Sequence, residues 1–370
     1  MRGMFETGTM VGLMSEMLRL ASSNRVEIPL VEPFLEMLPP PLSDLAVLPL
    51  WKPLFAALVV PGFATLGLLL LLLPWIERKL CARIQWRVGP KEIVSWLGGI
   101  IQLLADSLRF LFQEVIVNRD ARRPYFVQFV LLSFIPALLP ILFVAAGTII
   151  AIRTEYSVHM MLALVCLFPV FILGMGWSSG NRFAFVGTVR EAFMYFAYEV
   201  PLIFSVIAMV LIFGTGDPIK IMETGKLGIV LNPLAAFTFL IATAMATSRL
   251  PFEIPEADQE LAFGPFIEYS GIAFGLAYVL AYEKLYVLSA LFTTLFLGGG
   301  SGPAIPPLGE LSGALWFLLK TLVVMIVFAS LRAIYPRFRI DQALRAGWSS
   351  ILAISLLAIV ISAAEVMLWA

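Results

Sequence analysis

The feature that most constrains this chain is a series of apolar runs, each long enough to cross a lipid bilayer. A helix needs about 20 apolar residues for that crossing. Eight segments meet the requirement: 53–75, 125–150, 158–177, 188–213, 232–248, 269–298, 311–334 and 348–369. The fifth segment is short, and the sixth is long enough to tilt or to extend beyond the bilayer. The sequence therefore predicts an all-α integral membrane protein with eight transmembrane helices.

Composition supports this fold class and excludes several functions. The chain is 60% hydrophobic and 14% charged, whereas a soluble domain carries about 25% charged residues. A formal net charge of zero argues against nucleic-acid binding. One His and two Cys (Cys81 and Cys166) are too few for a four-ligand zinc site, an iron–sulfur cluster or a disulfide framework. We expect no metal and no covalently bound cofactor in this chain.

The distribution of basic residues predicts the orientation of the spans. The first connection, 77–124, carries nine Lys and Arg residues, whereas the three even-numbered connections together carry three. Positive residues accumulate in cytoplasmic connections. The odd-numbered connections are therefore predicted to face the cytoplasm, and an even number of spans places both termini outside.

Two regions outside the spans are also interpreted from their patterns. Residues 1–50 form an extension before the membrane domain (53–370), and Met4–Leu20 has the pattern of an amphipathic helix lying on the membrane. Between the first two spans, 92–114 has one apolar helical face and one polar face, which includes Asp106 and Arg109. This pattern predicts an amphipathic helix on the cytoplasmic side, beside which a lipid tail or a long isoprenoid ligand could enter the bundle.

Ionisable residues inside the spans are candidates for function because a charge in the bilayer is costly. In the fourth span, Glu199 comes shortly before Pro201, and a proline kink leaves room for water. The sixth span carries Glu283 and Lys284, and the seventh carries Lys320. The alternative for each residue is an ion pair that only joins two helices.

The densest group of acids lies in the connection 249–270, which begins RLPFEIPEADQEL. Pro255 suits the first position of a helix, which would place Glu256 and Glu260 on one face at i, i+4. Two like charges at that spacing raise at least one pKa, and a carboxyl with a raised pKa exchanges protons near neutrality. An exposed acidic loop is the alternative. The apolar residues between the acids, and the acids on nearby spans, favour a proton path.

The motifs resemble those of the quinone-site membrane subunit of respiratory complex I, often called its H subunit or chain 1, and its archaeal relatives. Six segments carry the resemblance: ERKLCARIQWRVGP (77–90), QLLADSLRFLFQE (102–114), VREAFMYFAYEVP (189–201), RLPFEIPEADQELAFGPFIEYSG (249–271), YEKLYVLSALFTTLFLGG (282–299) and LRAIYPRFRIDQALRAGW (331–348). The resemblance runs from about residue 53 to the end of the chain, and the family's eight helices agree with the number of apolar runs.

This resemblance implies a non-catalytic subunit of an NADH:quinone oxidoreductase-type translocase, with no redox centre of its own. It would hold the membrane end of a quinone cavity and the start of a proton path. For the quinone cavity the implied residues are Arg78, Arg83, Arg87, Asp106, Arg249 and Phe252. For the proton path they are Glu199, Glu253, Glu256, Asp258, Glu260, Glu268 and Glu283.

The resemblance also implies partners and a location. Soluble subunits carrying iron–sulfur clusters would complete the quinone site on the cytoplasmic face. Small membrane subunits and antiporter-like subunits would adjoin this chain in the plasma membrane of a prokaryote, in contact with lipid. Reduction of the quinone would change charges in the acidic connection and pass that change along a line of carboxylates.

Departures from the family pattern keep an alternative open. Glu253 stands where the family usually has Asp, Asp258 where it has Glu, and Arg109 where it has Lys, so charge is kept. The stretch 91–99 has fewer glycines than the family, which leaves the electron acceptor open. The alternative is the equivalent coupling subunit of a ferredoxin-linked hydrogenase or sulfur reductase, without a quinone. An independent solute transporter is disfavoured because no internal repeat is visible.

Overall fold

The computed structural model describes residues 46–91, 96 and 98–369, together with 23–29, 31–33, 37 and 39. The predicted helix over Met4–Leu20 lies outside the described residues, and the assignment of 1–50 as a separate extension stays a prediction. Within the described chain the regular structure is helical, with isolated bridges and no β-strand. The prediction of an all-α membrane protein is confirmed.

The described residues contain nine helices of more than ten residues, numbered in chain order. They are α1 Phe63–Ile84, α2 Ile101–Phe112, α3 Arg123–Leu138, α4 Ser157–Ser178, α5 Arg182–Phe213, α6 Pro233–Ala246, α7 Gly271–Phe296, α8 Leu311–Ile334 and α9 Leu352–Trp369. Shorter helices are Lys52–Leu58, Pro218–Glu223, Gly228–Leu231, Asp258–Leu261 and Ile340–Arg345, with 3₁₀ turns at Leu48–Leu50, Leu139–Phe143, Gly264–Phe266 and Pro306–Leu308 and a π-helical segment at Ala346–Ile351.

All eight predicted spans are helical in the structure, although several boundaries differ. By length and composition, seven described helical segments could cross a membrane, and α6 is a shorter apolar helix. The second span ends at Phe143 rather than 150. The fourth begins earlier than predicted, at Arg182, because the Asn181 side chain caps it by accepting from the Phe183 N–H at 2.8 Å.

Helix α7 lies at the centre of the bundle. In the most apolar 18-residue stretch of α7, 89% of the residues are buried, whereas the corresponding share is 22–44% in the other six long spans. It packs against α2, α3 and α8 and also contacts α1, α4 and α6. The acid and base on α7, Glu283 and Lys284, are therefore shielded from lipid by neighbouring helices.

The shortness of α6 places the acidic connection inside the membrane domain. A helix of 14 residues, the length of α6, rises about 21 Å, whereas the hydrocarbon core is about 30 Å thick. The chain leaves the helix at Thr247, and Thr247, Arg249 and Phe252 are all buried. Polar backbone at this depth is tolerated where it is covered by protein or lines a cavity.

The four odd-numbered connections meet at one end of the bundle, which we call the basic face. Three side-chain contacts join them: Asn118–Glu268, Asn181–Glu268 and Arg337–Glu260. At the opposite end, Lys220 donates to Glu155 at 2.9 Å and Lys52 to Glu310 at 2.8 Å. This arrangement agrees with eight crossings, since connections alternate between the two ends.

The acidic connection sits directly on α5. At Gly187 an added Cβ would lie 2.8 Å from the Gly264 Cα and 3.0 Å from the Pro255 carbonyl oxygen. Glycine is therefore required for this close approach of loop and helix. The contact brings the loop acids beside the ionisable residues of α5.

Candidate functional site

A buried carboxylate, Glu77, joins four parts of the structure. The Nη1 of Arg249 donates to both Glu77 oxygens at 2.8 Å, and the Nη1 of Arg332 donates to Oε1 at 2.5 Å. The hydroxyl of Tyr282 donates to Oε2 at 3.2 Å. Glu77 lies on α1, Arg332 on α8 and Tyr282 on α7, so this cluster fixes the start of the acidic connection to three helices.

Arg249, the single base of the connection 249–270, is buried, with 6% of its surface exposed. Its guanidinium lies 4.3 Å from the centre of the Tyr282 ring. Burial disfavours the charged form, but the Glu77 carboxylate and Tyr282 together raise the pKa of Arg249 above its ordinary value. Arg249 therefore supplies a permanent positive charge beneath the basic face.

A first cavity of about 320 Å³ lies between α2, the acidic connection, α7 and α8. Its charged lining residues are Arg78, Asp106, Arg109, Arg249, Glu253, Glu256 and Arg332, and its aromatic ones are Phe110, Phe263, Phe266, Phe274, Tyr278 and Tyr282. Arg78 donates to Asp106 at 2.9 Å, which links α1 to the amphipathic helix α2. The cavity thus combines an aromatic surface with a few charged groups, as small-molecule sites do.

A second cavity of about 600 Å³ adjoins the first. The two share six lining residues: Arg78, Leu250, Glu253, Tyr278, Tyr282 and Arg332. The second continues along the end of α1 past Arg87 to Gly89 and Pro90. Together the two adjacent cavities extend from the connection after α1 to the acidic connection.

A narrow pocket of about 10 Å³ adjoins the first cavity and lies between α4, α5 and α7. Glu256 lines both spaces, and Glu191 on α5 and Lys284 on α7 line the pocket with it. The Nζ of Lys284 donates to the Tyr198 hydroxyl at 3.1 Å. Glu199, the next residue after Tyr198, lies beside the side chains of Cys166 and Tyr195.

The structure brings together four of the six side chains assigned to the cavity. Arg78, Asp106 and Arg249 line the first cavity, and Arg78 and Arg87 line the second. Arg83 is exposed and lines neither cavity. Phe252 is buried instead against Phe338, with ring centres 5.5 Å apart.

The acids assigned to the proton path are distributed over several environments. Glu253 lines both cavities and lies 3.9 Å from Arg332. Glu268 accepts from Asn118 at 3.2 Å and from Asn181 at 2.5 Å. Glu283 is buried, and its Oε2 has no hydrogen-bond partner among the described residues. The side chain of Asp258 lies outside what the structure describes.

The expectation for Glu256 and Glu260 was wrong. Pro255 does not begin a helix, because Glu256 lies in a turn and the short helix starts at Asp258. Glu256 lines the first cavity and the narrow pocket, whereas Glu260 pairs with Arg190 at 2.5 Å and with Arg337 at 2.8 Å. The hydrogen bond from Arg190, with the charge of Arg337, lowers the pKa of Glu260 instead of raising it.

Sequence reasoning missed four residues of this site. Arg332 and Arg337, which were not selected, contact acids of the connection 249–270. Glu77 and Glu191 were not selected, although each lies in a segment that carried the family resemblance. A signal existed for Glu77, since it directly follows the apolar run of the first span and α1 continues through it.

The part of the chain that the structure describes contains no group of three His, Cys, Asp or Glu side chains arranged to hold a metal ion. The site offers hydrogen bonds, fixed charges and titratable carboxyls. A carboxylate next to a cavity with fixed guanidinium groups can respond to a change of charge in that cavity.

The chain is similar to known proteins over most of its length. The family model described as NADH dehydrogenase matches residues 56–363. The H subunit of the NADH-quinone oxidoreductase of Dehalococcoides mccartyi (strain CBDB1) is 33% identical over 323 residues, 86% of this chain and 88% of that protein. The corresponding H subunit of Aquifex aeolicus (strain VF5) is 34% identical over 310 residues, covering 80% and 91%.

A solved structure is also similar. A chain of the membrane-bound sulfane sulfur reductase, an archaeal respiratory membrane complex, superposes with a TM-score of 0.71 at 25% identity, covering 81% of this chain and 96% of that one. The match thus extends to an assembly named for a different acceptor. The family model and the similarity to H subunits of NADH-quinone oxidoreductases show that this chain belongs to the NADH dehydrogenase family of membrane subunits.

Proposed function

We propose that this chain is the membrane subunit of a redox-driven, ion-pumping NADH:quinone oxidoreductase-type complex. It forms the membrane part of a quinone cavity and couples electron transfer to proton translocation. The observation that carries this proposal is the shared position of Glu256, which lines both the first cavity and the narrow pocket between α4, α5 and α7. A charge change in the cavity would therefore act on a group that also faces the path.

The cavity lining suits a quinone or quinone-like acceptor. Phe110, Phe274 and Tyr278 offer an apolar surface to an isoprenoid tail. Arg249 carries a buried donor, Nε, that has no hydrogen-bond partner among the described residues. A buried donor without a partner is costly, and the carbonyl oxygen of a ligand in the cavity could accept from it.

Several acids would carry the proton path. Glu253 and Glu256 would respond first because they line the cavity, and Glu199 and Glu283 would continue the path within the spans. Glu268, held by two Asn side chains, would act at the basic face. Glu260 is paired with two Arg residues and would serve mainly to hold the loop.

The basic face would be cytoplasmic and would bind soluble subunits carrying iron–sulfur clusters. Trp86 and Trp96, 98% and 83% exposed, lie in the connection after α1 on this face. Large exposed apolar side chains among bases are typical of a protein interface. Small membrane subunits and antiporter-like subunits would adjoin the helices in a prokaryotic plasma membrane, with lipid around them and both termini outside.

The second candidate keeps the coupling role without a quinone. It is favoured by the similarity to the sulfane sulfur reductase chain, which covers 96% of that chain. In this case the cavity would hold lipid, and the same acids would respond to redox chemistry in a partner subunit.

The test uses the assembled complex with a photoreactive azidoquinone. We expect labelling of peptides containing 247–256 and 274–282, competition by decylubiquinone, and loss of labelling in Ala281→Phe, which fills the cavity. Leu319→Phe, on an exposed position of α8, is the matched control and should label normally. An active complex that reduces no quinone and shows no competed labelling would favour the second candidate.

Coupling is tested separately in proteoliposomes, with NADH and decylubiquinone. We expect Glu256→Gln to reduce proton pumping while assembly is intact, and Glu365→Gln on α9 to pump normally. Normal pumping in Glu256→Gln would refute the coupling role of this acid.

A further inference from the structure

Two buried ionisable residues of opposite sign lie beyond Glu256. Glu191 on α5 and Lys284 on α7 are each 3% exposed. With Glu256 they line a pocket of about 10 Å³, roughly the space that one water molecule needs. The Glu191 and Lys284 charges attract each other within the bundle.

Lys284 faces acids on two elements besides its own helix. Its Nζ donates to the Tyr198 hydroxyl and lies 5.1 Å from the Tyr198 ring centre and 5.2 Å from that of Phe168. Glu191 and Glu199 act on its charge from α5, Glu256 acts on it from the acidic connection, and Cys166 acts on it from α4. The charge of the ammonium is therefore influenced by Glu256 at the cavity and by Glu191 and Glu199 on α5.

We propose that Glu191 and Lys284 form the step of the proton path between Glu256 and Glu199. This inference rests on the proposed function, because it needs Glu256 to receive protons from the cavity. It also assigns a function to Glu191 and Lys284, two buried charged residues that do not line the first or the second cavity.

The step balances in protons and charge. Glu256 gives its proton to the Glu191 carboxylate, through a water in the narrow pocket or directly. The Lys284 ammonium, now without a charged partner at Glu191, gives a proton to the Glu199 carboxylate. The neutral amine then takes the proton from Glu191, which restores the opposite charges of Lys284 and Glu191. One proton has moved from Glu256 to Glu199.

A purely structural pair would behave differently from a proton-transferring pair. Arg in place of Lys284 keeps the positive charge and the attraction between α5 and α7, but a guanidinium does not release its proton in a protein. Gln in place of Glu191 keeps the shape without a titratable group, and Asp restores the group. These three variants separate charge pairing from proton transfer.

The experiment uses the complete complex in proteoliposomes, energised with NADH and decylubiquinone, and records acidification with a pH-sensitive dye. Assembly is checked by size-exclusion chromatography. We expect pumping to fall about a hundredfold in Lys284→Arg and Glu191→Gln, at the low end of the effect of a positioned proton donor. We expect substantial recovery in Glu191→Asp and normal pumping in Glu365→Gln.

The outcomes distinguish this inference from the function on which it rests. Normal pumping in Lys284→Arg or Glu191→Gln, with loss in Glu256→Gln, would overturn the inference alone and leave the pair a structural one. Normal pumping in Glu256→Gln would overturn the coupling role and the inference with it. If Lys284→Arg does not assemble, proton pumping in the isosteric Glu191→Gln variant tests the inference instead.

Discussion

Arg249 donates to both carboxylate oxygens of Glu77 at 2.8 Å, across 172 positions of the sequence. Both side chains are buried, and Arg332 shares the same carboxylate. This contact connects the first span to the acidic connection, and the first cavity lies beside it.

Breaking the buried pair should destabilise the protein strongly. Removing one partner of a buried pair leaves an uncompensated charge, which costs about 3–5 kcal/mol. We expect Arg249→Ala to lower the thermal unfolding midpoint of the purified complex and its coupled activity. Arg182→Ala, at an exposed position, is the control and should change neither. Equal effects of the two variants would contradict this interpretation.

The ion pairs through which Glu260 holds the acidic connection should weaken at low pH. The pKa of Glu260 is lowered in the folded protein, first by the hydrogen bond from Arg190. Its contribution to stability is therefore present above the unfolded pKa of about 4.3 and is lost as the pH falls through the lower folded value.

Hydrogen–deuterium exchange of residues 251–262 should detect this loss as the pH falls below the unfolded pKa of about 4.3. The contribution is small because Glu260 is half-exposed and solvent screens the pair. We expect Glu260→Gln to exchange faster than the wild type at neutral pH and to lack the acid-dependent change. An identical pH profile in both proteins would count against the role of Glu260.

A methyl group at Gly187 should displace the acidic loop. The added Cβ would lie within 3.0 Å of the loop at three atoms, two of them backbone. We expect Gly187→Ala to reduce coupled activity several-fold while helix content, measured by circular dichroism, is unchanged. Gly67→Ala on α1 is the control, since nothing lies within 4 Å of its added Cβ. Full activity in Gly187→Ala would show that the loop tolerates the shift.

Lys320 should stabilise the turn after α7 rather than move protons. Its ammonium donates to the carbonyl oxygens of Leu297 at 2.8 Å, Gly299 at 3.0 Å and Ser301 at 2.8 Å. We expect Lys320→Met to lower stability by about 1–3 kcal/mol, because carbonyl groups lose a charged donor. Pumping per electron should remain normal, and exposed Lys226→Met at the same end should leave stability unchanged. A selective loss of pumping would place Lys320 on the path instead.

Sequence reasoning located the helices well because the signal is local. A run of about 20 apolar residues is sufficient to predict a crossing, and the eight predicted segments are all helical. Boundaries were less predictable where capping or polar contacts extend a helix, as at Asn181 and at the π-helical segment Ala346–Ile351. Arg83 and Phe252 were assigned to the cavity by motif, and motif position does not determine which way a side chain faces.

The sequence by itself determined the membrane class, the number of spans and the end of the bundle that gathers the charges. Only the tertiary structure decided which charges meet: Glu77 with Arg249, Glu260 with Arg190 and Arg337, and Glu256 with the pocket of Glu191 and Lys284. The physical reason is the separation along the chain over which each interaction acts. Apolar run length acts within one helix, whereas an ion pair depends on how helices far apart in sequence pack, and a short α6 brings the acidic loop into that packing.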